Sequence, residues 1–344
     1  MSAPRIGLIG ARRVRQGLGP FVARELAALG ADVTCALGTR AESAEQARVE
    51  LRAQGIDVRA YSDADALFEA EALDALAILS PAETHEAHLR RALDAGLHVL
   101  CEKPLIWSGT GSAERAAEIV EAFAARGQRL VENCQWPFAL GAFEQLHPGT
   151  LGAPLERFEM RLSPESRGEQ MLVDCISHPL SLLQALAPDR DARLEDAGFA
   201  TGTGPETVTV RFVYRAGRVA APVEVRLVRS ESVPRKASLA INARPADRLV
   251  RKSDYSMLFA AGDRSVALPD PLRTLLERFV GAPQCIEQRA NRCQIEPGVA
   301  IARTPLVVDQ TLEIARRLGQ GLEFFLAVLA HDPSRDWIPE LRPK

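Results

Sequence analysis

The chain of 344 residues has no excess of one charge, no long apolar run and no paired cysteines, and each lack removes a class of function. The formal net charge is only -3, with acidic and basic residues interspersed, so there is no general electrostatic ground for binding nucleic acid or an anionic membrane. No apolar run approaches the roughly 20 residues that span a bilayer. The sequence enters a strand-like run almost at once, without a signal-peptide pattern, so the expected location is the cytoplasm. Cysteines at 35, 101, 134, 175, 285 and 293 form no C-x-x-C, which argues against a zinc site or a disulfide framework. They read as small apolar residues in a reducing compartment. Internal repeats and low-complexity linkers are also missing.

What is present is a chain with 47% hydrophobic residues, long enough for about two domains. Strand-like and helix-like segments alternate over the first 134 residues. "RIGLIG" (5–10), "DVTCALG" (32–38), "DVRAY" (57–61), "ALAILS" (75–80), "HVLCE" (98–102) and "RLVENC" (129–134) read as strands. Helical spacing is expected near 20–30, 41–54, 63–71, 82–95 and 112–126. Such alternation implies a parallel, doubly wound Rossmann sheet. After residue 135 the pattern changes to runs such as "LERFEMRL" (155–162), "TVTVRFVYRAG" (207–217), "VEVRLVRS" (223–230) and "ASLAINAR" (237–244), without intervening helices. These predict a C-terminal α+β domain with a mostly antiparallel open sheet. "HPLSLLQAL", "RTLLERFVG" and the long "TPLVVDQTLEIARRLGQGLEFFLAVL" are expected to cover one face of it. The expected domains are therefore 1–134, binding a dinucleotide, and 135–344, binding substrate and forming oligomers.

The most specific stretch is "LDALAILSPAETHEAHLRRALDAGLHVLCEKPL", residues 73–105. It resembles the Gfo/Idh/MocA oxidoreductase family, in which a strand, a Ser/Thr-Pro turn, an H-x-x-H helix and a strand ending in Glu-Lys-Pro follow one another. The resemblance extends through "LVDCISHPLSLL" (172–183), similar to the family's Asp-x-x-x-His segment. It implies a nicotinamide-dependent enzyme, with an X-Pro bond at Pro104 that is often cis in the family. By the resemblance Asp174 and His178 line the substrate pocket, and His85 sits near the cofactor. The approach to Asp174, "RGEQMLVD", lacks the glycines many members have, so Arg167, Glu169 and Gln170 reshape the substrate side and its identity is poorly inherited.

The residue types fit such chemistry. Glu102, Lys103 and Pro104 follow a parallel strand and so reach the carboxyl edge of the sheet, where doubly wound folds bind ligands. A lysine there can hydrogen-bond the substrate oxygen whose proton moves with the hydride. The bland alternative is a solvated strand-end lysine. Asp174 and His178, four apart, share a face on a helical turn, the imidazole as acid or base and the carboxylate fixing its tautomer or holding a substrate hydroxyl. The alternative is a capping Asp and a His satisfied by backbone. His85 and His88 are three apart with no third ligand, so no metal is expected. Ser80 and Pro81 end the fourth strand and are expected to flank the nicotinamide ribose and phosphates. Trp136 and Gln170 are substrate candidates only, because a tryptophan is more often core.

Two places in the nucleotide half lack the usual residues. After Gly10, the positions that normally carry the second and third glycines hold Arg12 and Arg15, with Pro20 fixing the register. Glycine there admits the pyrophosphate and packs the helix, whereas Arg12 and Arg13 can instead lay guanidinium groups along a phosphate. The second strand ends in Gly38, Thr39 and Arg40 where NAD enzymes carry an acid. With no carboxylate to repel a 2′-phosphate, Thr39, Arg40 and Ser43 predict a preference for NADP over NAD. The expected function is hydride transfer between NADP and a hydroxyl or carbonyl carbon of a sugar, cyclitol or related polar metabolite. Alternatives are a non-catalytic nucleotide- or sugar-responsive protein of the same fold, or a reductase of a C=N acceptor. The resemblance implies a homodimer or homotetramer, with no nucleic acid or membrane partner.

Overall fold

The computed structural model describes residues 3–12, 17–107, 112–189, 192–201 and 206–281. Their Cα atoms divide into two compact units, one built on residues up to 108, 115–133 and the segment after Leu272, the other mainly on Cys134–Pro271.

The first unit runs β1 (Arg5–Ile9), α1 (Gly19–Ala28), β2 (Asp32–Leu37), α2 (Ala41–Arg52), β3 (Arg59–Tyr61), α3 (Ala64–Ala70), β4 (Ala75–Ile78), α4 (His85–Asp94), β5 (His98–Cys101), α5 (Ser112–Ala125) and β6 (Leu130–Glu132). All strand pairs are parallel, in the order β3-β2-β1-β4-β5-β6. Every residue of β4 is buried, as are all but the first of β1 and β5, which is what helices on both faces require. Chain order reverses between β1 and β4, so the crevice at their carboxyl ends is the switch point where such folds take ligands.

Helix α1 shows how its sequence makes it. Gly19, Val22, Ala23 and Leu26 fall on one face and are buried, and Pro20 opens the first turn, where its missing N–H costs nothing. Gly19 is needed for close approach, since a side chain there would run into the backbone of Ala11. Gly19 thus lets the start of α1 close on the main chain of Ala11, just after β1. Arg13 and Arg15 lie outside the described residues.

The second unit contains α6 (Leu140–Leu146), β7 (Phe158–Leu162), α7 (Glu169–Cys175), α8 (Ser177–Leu186), β8 (Arg193–Thr201), β9 (Thr207–Ala216), β10 (Val219–Val228), β11 (Ala237–Ile241), β12 (Arg244–Val250), β13 (Met257–Ala261) and β14 (Arg264–Leu268). The eight strands are ordered β14-β13-β12-β11-β7-β10-β9-β8. All pairs are antiparallel except β7 with β10. Alternate residues make one apolar face: Phe158 and Met160 on β7, Val223 and Val225 on β10, Leu239 and Ile241 on β11 are all buried. Strands β8, β12, β13 and β14 were not among those expected, because β8, β12 and β14 carry charge with little β-branched run, and β13, "MLFAA", has no β-branched residue.

Helix α9 (Pro271–Gly281), which contains the "RTLLERFVG" expected on the second sheet, belongs instead to the first unit. Arg129 donates to the Phe279 carbonyl at 2.9 Å, at the helix's carbonyl end, and Arg273 pairs with Glu25 of α1 at 3.1 Å. The long C-terminal helical segment lies outside the described residues. Cys35, Cys101, Cys134 and Cys175 are buried, and burial pushes the Cys35 thiol up to about 11. No described helix is long and apolar enough to cross a membrane.

Candidate functional site

Gly10 ends β1 in the left-handed region, with φ at +79°, and its N–H bonds the Leu37 carbonyl of β2 at 3.2 Å. A Cβ there would lie 2.7 Å from the Ser80 nitrogen and 2.8 Å from the Leu79 carbonyl. Glycine thus brings the end of β1 against the Leu79–Ser80 backbone after β4, leaving bare main chain at the switch point. Bare main chain at the carboxyl edge of a doubly wound sheet is where such folds take ligands.

Arg12, which follows directly, is half-buried and directed at Glu50 on α2, with Nε 3.9 Å from the carboxylate. At the end of β2, Gly38 is half-exposed while Thr39 and Arg40 are exposed. Ser43 is already committed: its hydroxyl accepts from the Arg40 N–H at 3.0 Å and donates to the Arg40 carbonyl at 2.8 Å, closing the start of α2. Among the described residues the Arg40 guanidinium has no ion-pair partner.

On the other side of the switch point Ser80 and Thr84 hydroxyls lie 2.7 Å apart, and Thr84 donates to the Pro81 carbonyl at 2.8 Å, shaping the turn (Ala82–Thr84) into α4. His85, completely buried, opens that helix. Its Nε2 is 2.8 Å from the Ser80 carbonyl oxygen and its Nδ1 3.0 Å from that of Pro104. The ring therefore sits between the turn after β4 and the turn after β5, with a main-chain carbonyl oxygen facing each nitrogen, and its N–H donates to one of the two. Burial, first of all, holds the neighbouring His88 below the usual histidine range. Among the described residues no three His, Cys, Asp or Glu are grouped as metal ligands.

Glu102, Lys103 and Pro104 leave β5 at this same edge, and the Lys103–Pro104 peptide is cis. The segment is fixed from several directions. The Glu102 N–H bonds the Ile78 carbonyl at 2.8 Å, the Asn133 amide donates to the Glu102 carboxylate, and the buried Glu132 carboxylate accepts from the Leu105 N–H at 3.0 Å. Glu132 and Asn133, at the end of β6, were not among the expected site residues; buried polar side chains beside a strand end were the available signal. Lys103 itself is half-exposed, held on a backbone that its neighbours brace.

Within the second unit, Asp174 is in the last turn of α7 and His178 in the first of α8, the two helices dividing at Ile176. Gln170 donates to Asp174 at 2.9 Å. Asp174 and His178 are half-buried and Gln170 is exposed. Trp136, 6% exposed, opens a 3-10 turn (Trp136–Ala139), and its ring lies 6.2 Å from that of His178. The guanidinium of Arg248 on β12, a residue the sequence reading missed, stands 5.0 Å over the Trp136 ring.

Residues 4–134 match the model of an oxidoreductase family with an NAD-binding Rossmann fold, Gfo/Idh/MocA. Over these residues the chain is similar to the Gfo/Idh/MocA family. The matched stretch ends where the first unit passes to the second, and it contains the Gly10, Ser80, His85 and Lys103 edge just described. Among curated proteins, the chain is similar to an inositol 2-dehydrogenase of Acidothermus cellulolyticus, 31% identical over 192 residues, 53% of each chain. It is also similar to inositol 2-dehydrogenase 4 of Saccharopolyspora erythraea, 30% identical over 182 residues, 51% of each. The chain thus spans about half the length of the curated relatives it matches. Solved structures resemble the whole fold. A UDP-N-acetylglucosamine 3-dehydrogenase from Acidithiobacillus ferrooxidans superposes with a TM-score of 0.65 at 21% identity, covering 95% of this chain and 98% of that one. An inositol dehydrogenase homologue from Azotobacter vinelandii, in complex with NADH and myo-inositol, gives 0.64 at 19% identity, covering 94% and 96%. A 3-ketoreductase from Actinomadura kijaniata in complex with NADP gives 0.64 at 18%, covering 94% and 97%. At these identities the likeness is one of fold alone. The likeness of the first unit to Gfo/Idh/MocA rests on its own sequence match.

Proposed function

We propose that the chain is an oxidoreductase, with NADP preferred, that moves hydride between the nicotinamide and a hydroxyl or carbonyl carbon of a sugar, cyclitol or related polar metabolite. The observation that carries this reading is the Glu102-Lys103-Pro104 turn at the carboxyl edge of a family Rossmann sheet, braced by His85, Glu132 and Asn133. When bound, the dinucleotide supplies the hydride acceptor or donor. The bare backbone at Gly10 and the Ser80–Pro81 turn would hold it at the switch point, with Glu102 beside them. Thr39 and Arg40, exposed at the end of β2 with no acid beside them, would take the 2′-phosphate, and Ser43 would shape their loop. Arg12 and Arg13 are assigned to the pyrophosphate.

Lys103 is assigned the proton: its ammonium would give a proton to the substrate oxygen as hydride arrives, and its neutral amine would take the proton up as hydride leaves. Asp174 and His178 in the second unit are assigned to the substrate, the imidazole as a second acid or base and the carboxylate as an acceptor for a hydroxyl, with Gln170 and Trp136 beside them. The inositol 2-dehydrogenases among the relatives support a polyol as the substrate class. Assembly as a homodimer or homotetramer through the open face of the eight-stranded sheet, where Leu249 is exposed, and a cytoplasmic location complete the reading.

The test is Lys103→Met. Turnover of NADPH with a panel of keto sugars and inosose is expected to fall by roughly 10²–10⁴, the usual contribution of a positioned acid, while NADPH still binds. Unchanged turnover would remove Lys103 from the chemistry.

A further inference from the structure

Arg248 stands where an arginine is out of place. Its β12 partners are Ala237 on β11 and Phe259 on β13, both buried, and it shares its face of the strand with Ala246, which is 1% exposed. That face of the sheet otherwise carries the apolar core, so a guanidinium enters it only at the cost of losing water. Burial lowers the Arg248 pKa from its ordinary value, yet arginine keeps its charge in proteins, so the cost remains as an unpaired cation.

The surroundings offset little of that cost. One Nη donates to the Arg235 carbonyl at 3.3 Å, and the Trp136 ring gives a cation–π contact. Among the described residues the buried Nε has no hydrogen-bond acceptor and no carboxylate pairs with this side chain. The nearby arginines differ: Arg235 is paired with Glu165 at 2.8 Å, and Arg229 with Glu206 and Glu231. The ring that Arg248 covers is itself 6.2 Å from His178, so the unpaired cation is one side chain removed from the imidazole assigned to the substrate.

We propose that Arg248 is a specificity residue that takes an anionic group, a carboxylate or a phosphate, of a sugar-like substrate, with Trp136 holding the guanidinium flat. The proposal rests on the dehydrogenase reading for the identity of the pocket and deepens it by naming the substrate class as acidic. A planar fork with free N–H groups matches a carboxylate or phosphate edge in two hydrogen bonds, which a neutral hydroxyl cannot provide. Neutral polyols would lack this contact.

Calorimetric titration of the full chain with D-glucuronate, D-glucose 6-phosphate and D-glucose tests this. At least one acidic ligand is expected to bind about tenfold or more tightly than glucose, with the stronger of the two arms identifying the group. In Arg248→Met that preference is expected to vanish with glucose binding unchanged, and in Arg248→Lys, which keeps the charge but not the fork, to be partly retained. Equal binding of all three by the wild-type protein, binding of none, or an unchanged preference in Arg248→Met would overturn the proposal. Should Arg248→Met not fold, the wild-type preference and the lysine variant still decide. Calorimetry needs no turnover, so a protein that prefers the acid but neither reduces NADP with acidic sugars nor oxidises NADPH with their keto forms would refute the dehydrogenase reading and leave the anion preference standing.

Discussion

The Nδ1 of His85 lies 3.0 Å from the carbonyl oxygen of Pro104, so the first residue of α4 holds the turn that carries Lys103. The other ring nitrogen faces Ser80 across the switch point. His85 is therefore a positioning residue, acting on Lys103 through the main chain of its neighbour.

Replacing it should separate position from stability. In His85→Leu, kcat is expected to fall about tenfold to a hundredfold while the KM for NADPH changes little, because a misplacement of about 1 Å has effects of that size. His85→Gln, which can still donate one hydrogen bond, should recover part of the loss. Steady-state kinetics with thermal unfolding of both variants checks this; equal kcat in all three proteins would make His85 merely structural.

Cofactor choice should follow the end of β2. Arg40→Ala is expected to weaken NADPH binding by about tenfold, the worth of a charge-assisted hydrogen bond to phosphate, and to leave NADH binding where it was. Fluorescence titration with both nucleotides gives the ratio directly. Loss of affinity for both alike would move Arg40 away from the 2′-phosphate.

Acid stability should depend on Glu71. This carboxylate, buried at the edge of the first sheet, accepts from Arg59 and from the Tyr61 hydroxyl at 2.8 Å, and Arg5 lies 3.6 Å away. The Arg59 hydrogen bond is the main cause that holds it below its ordinary value of 4.5. A depressed folded pKa stabilises above the unfolded pKa, and the gain is lost as pH falls through the folded one. Glu71→Gln should thus cost about 1–2 kcal/mol at neutral pH, less than a fully buried pair because Arg59 is largely exposed, and the gap should close below pH 4.5. Urea unfolding of both proteins across pH measures it; a constant gap would contradict the assignment.

The sheet order of the first unit and the Lys103 turn were readable because each rests on local pattern: buried runs for parallel strands, and a short motif at a strand end. Glu132 and Asn133 escaped because what they brace is distant in sequence. The close approach of Gly19 to Ala11 was not legible, since a fixed spacing from Gly10 does not single out Gly19. Helix α9 was placed on the wrong sheet because an amphipathic stripe shows that a helix is covered and not by what; Arg129 and Arg273 settle that. Arg248 was invisible for a similar reason. In "RPADRLV" it looks like any strand arginine, and only the register with Ala237 and Phe259 puts it on the apolar face.

The central claim is that the Gly10–Ser80 edge holds a nicotinamide dinucleotide beside Lys103. Titrating the full chain with NADPH and following nicotinamide fluorescence tests it most directly. Saturable binding in the micromolar range, tighter than for NADH and kept in Lys103→Met, is the predicted result; no binding of either nucleotide at high micromolar concentration would contradict it.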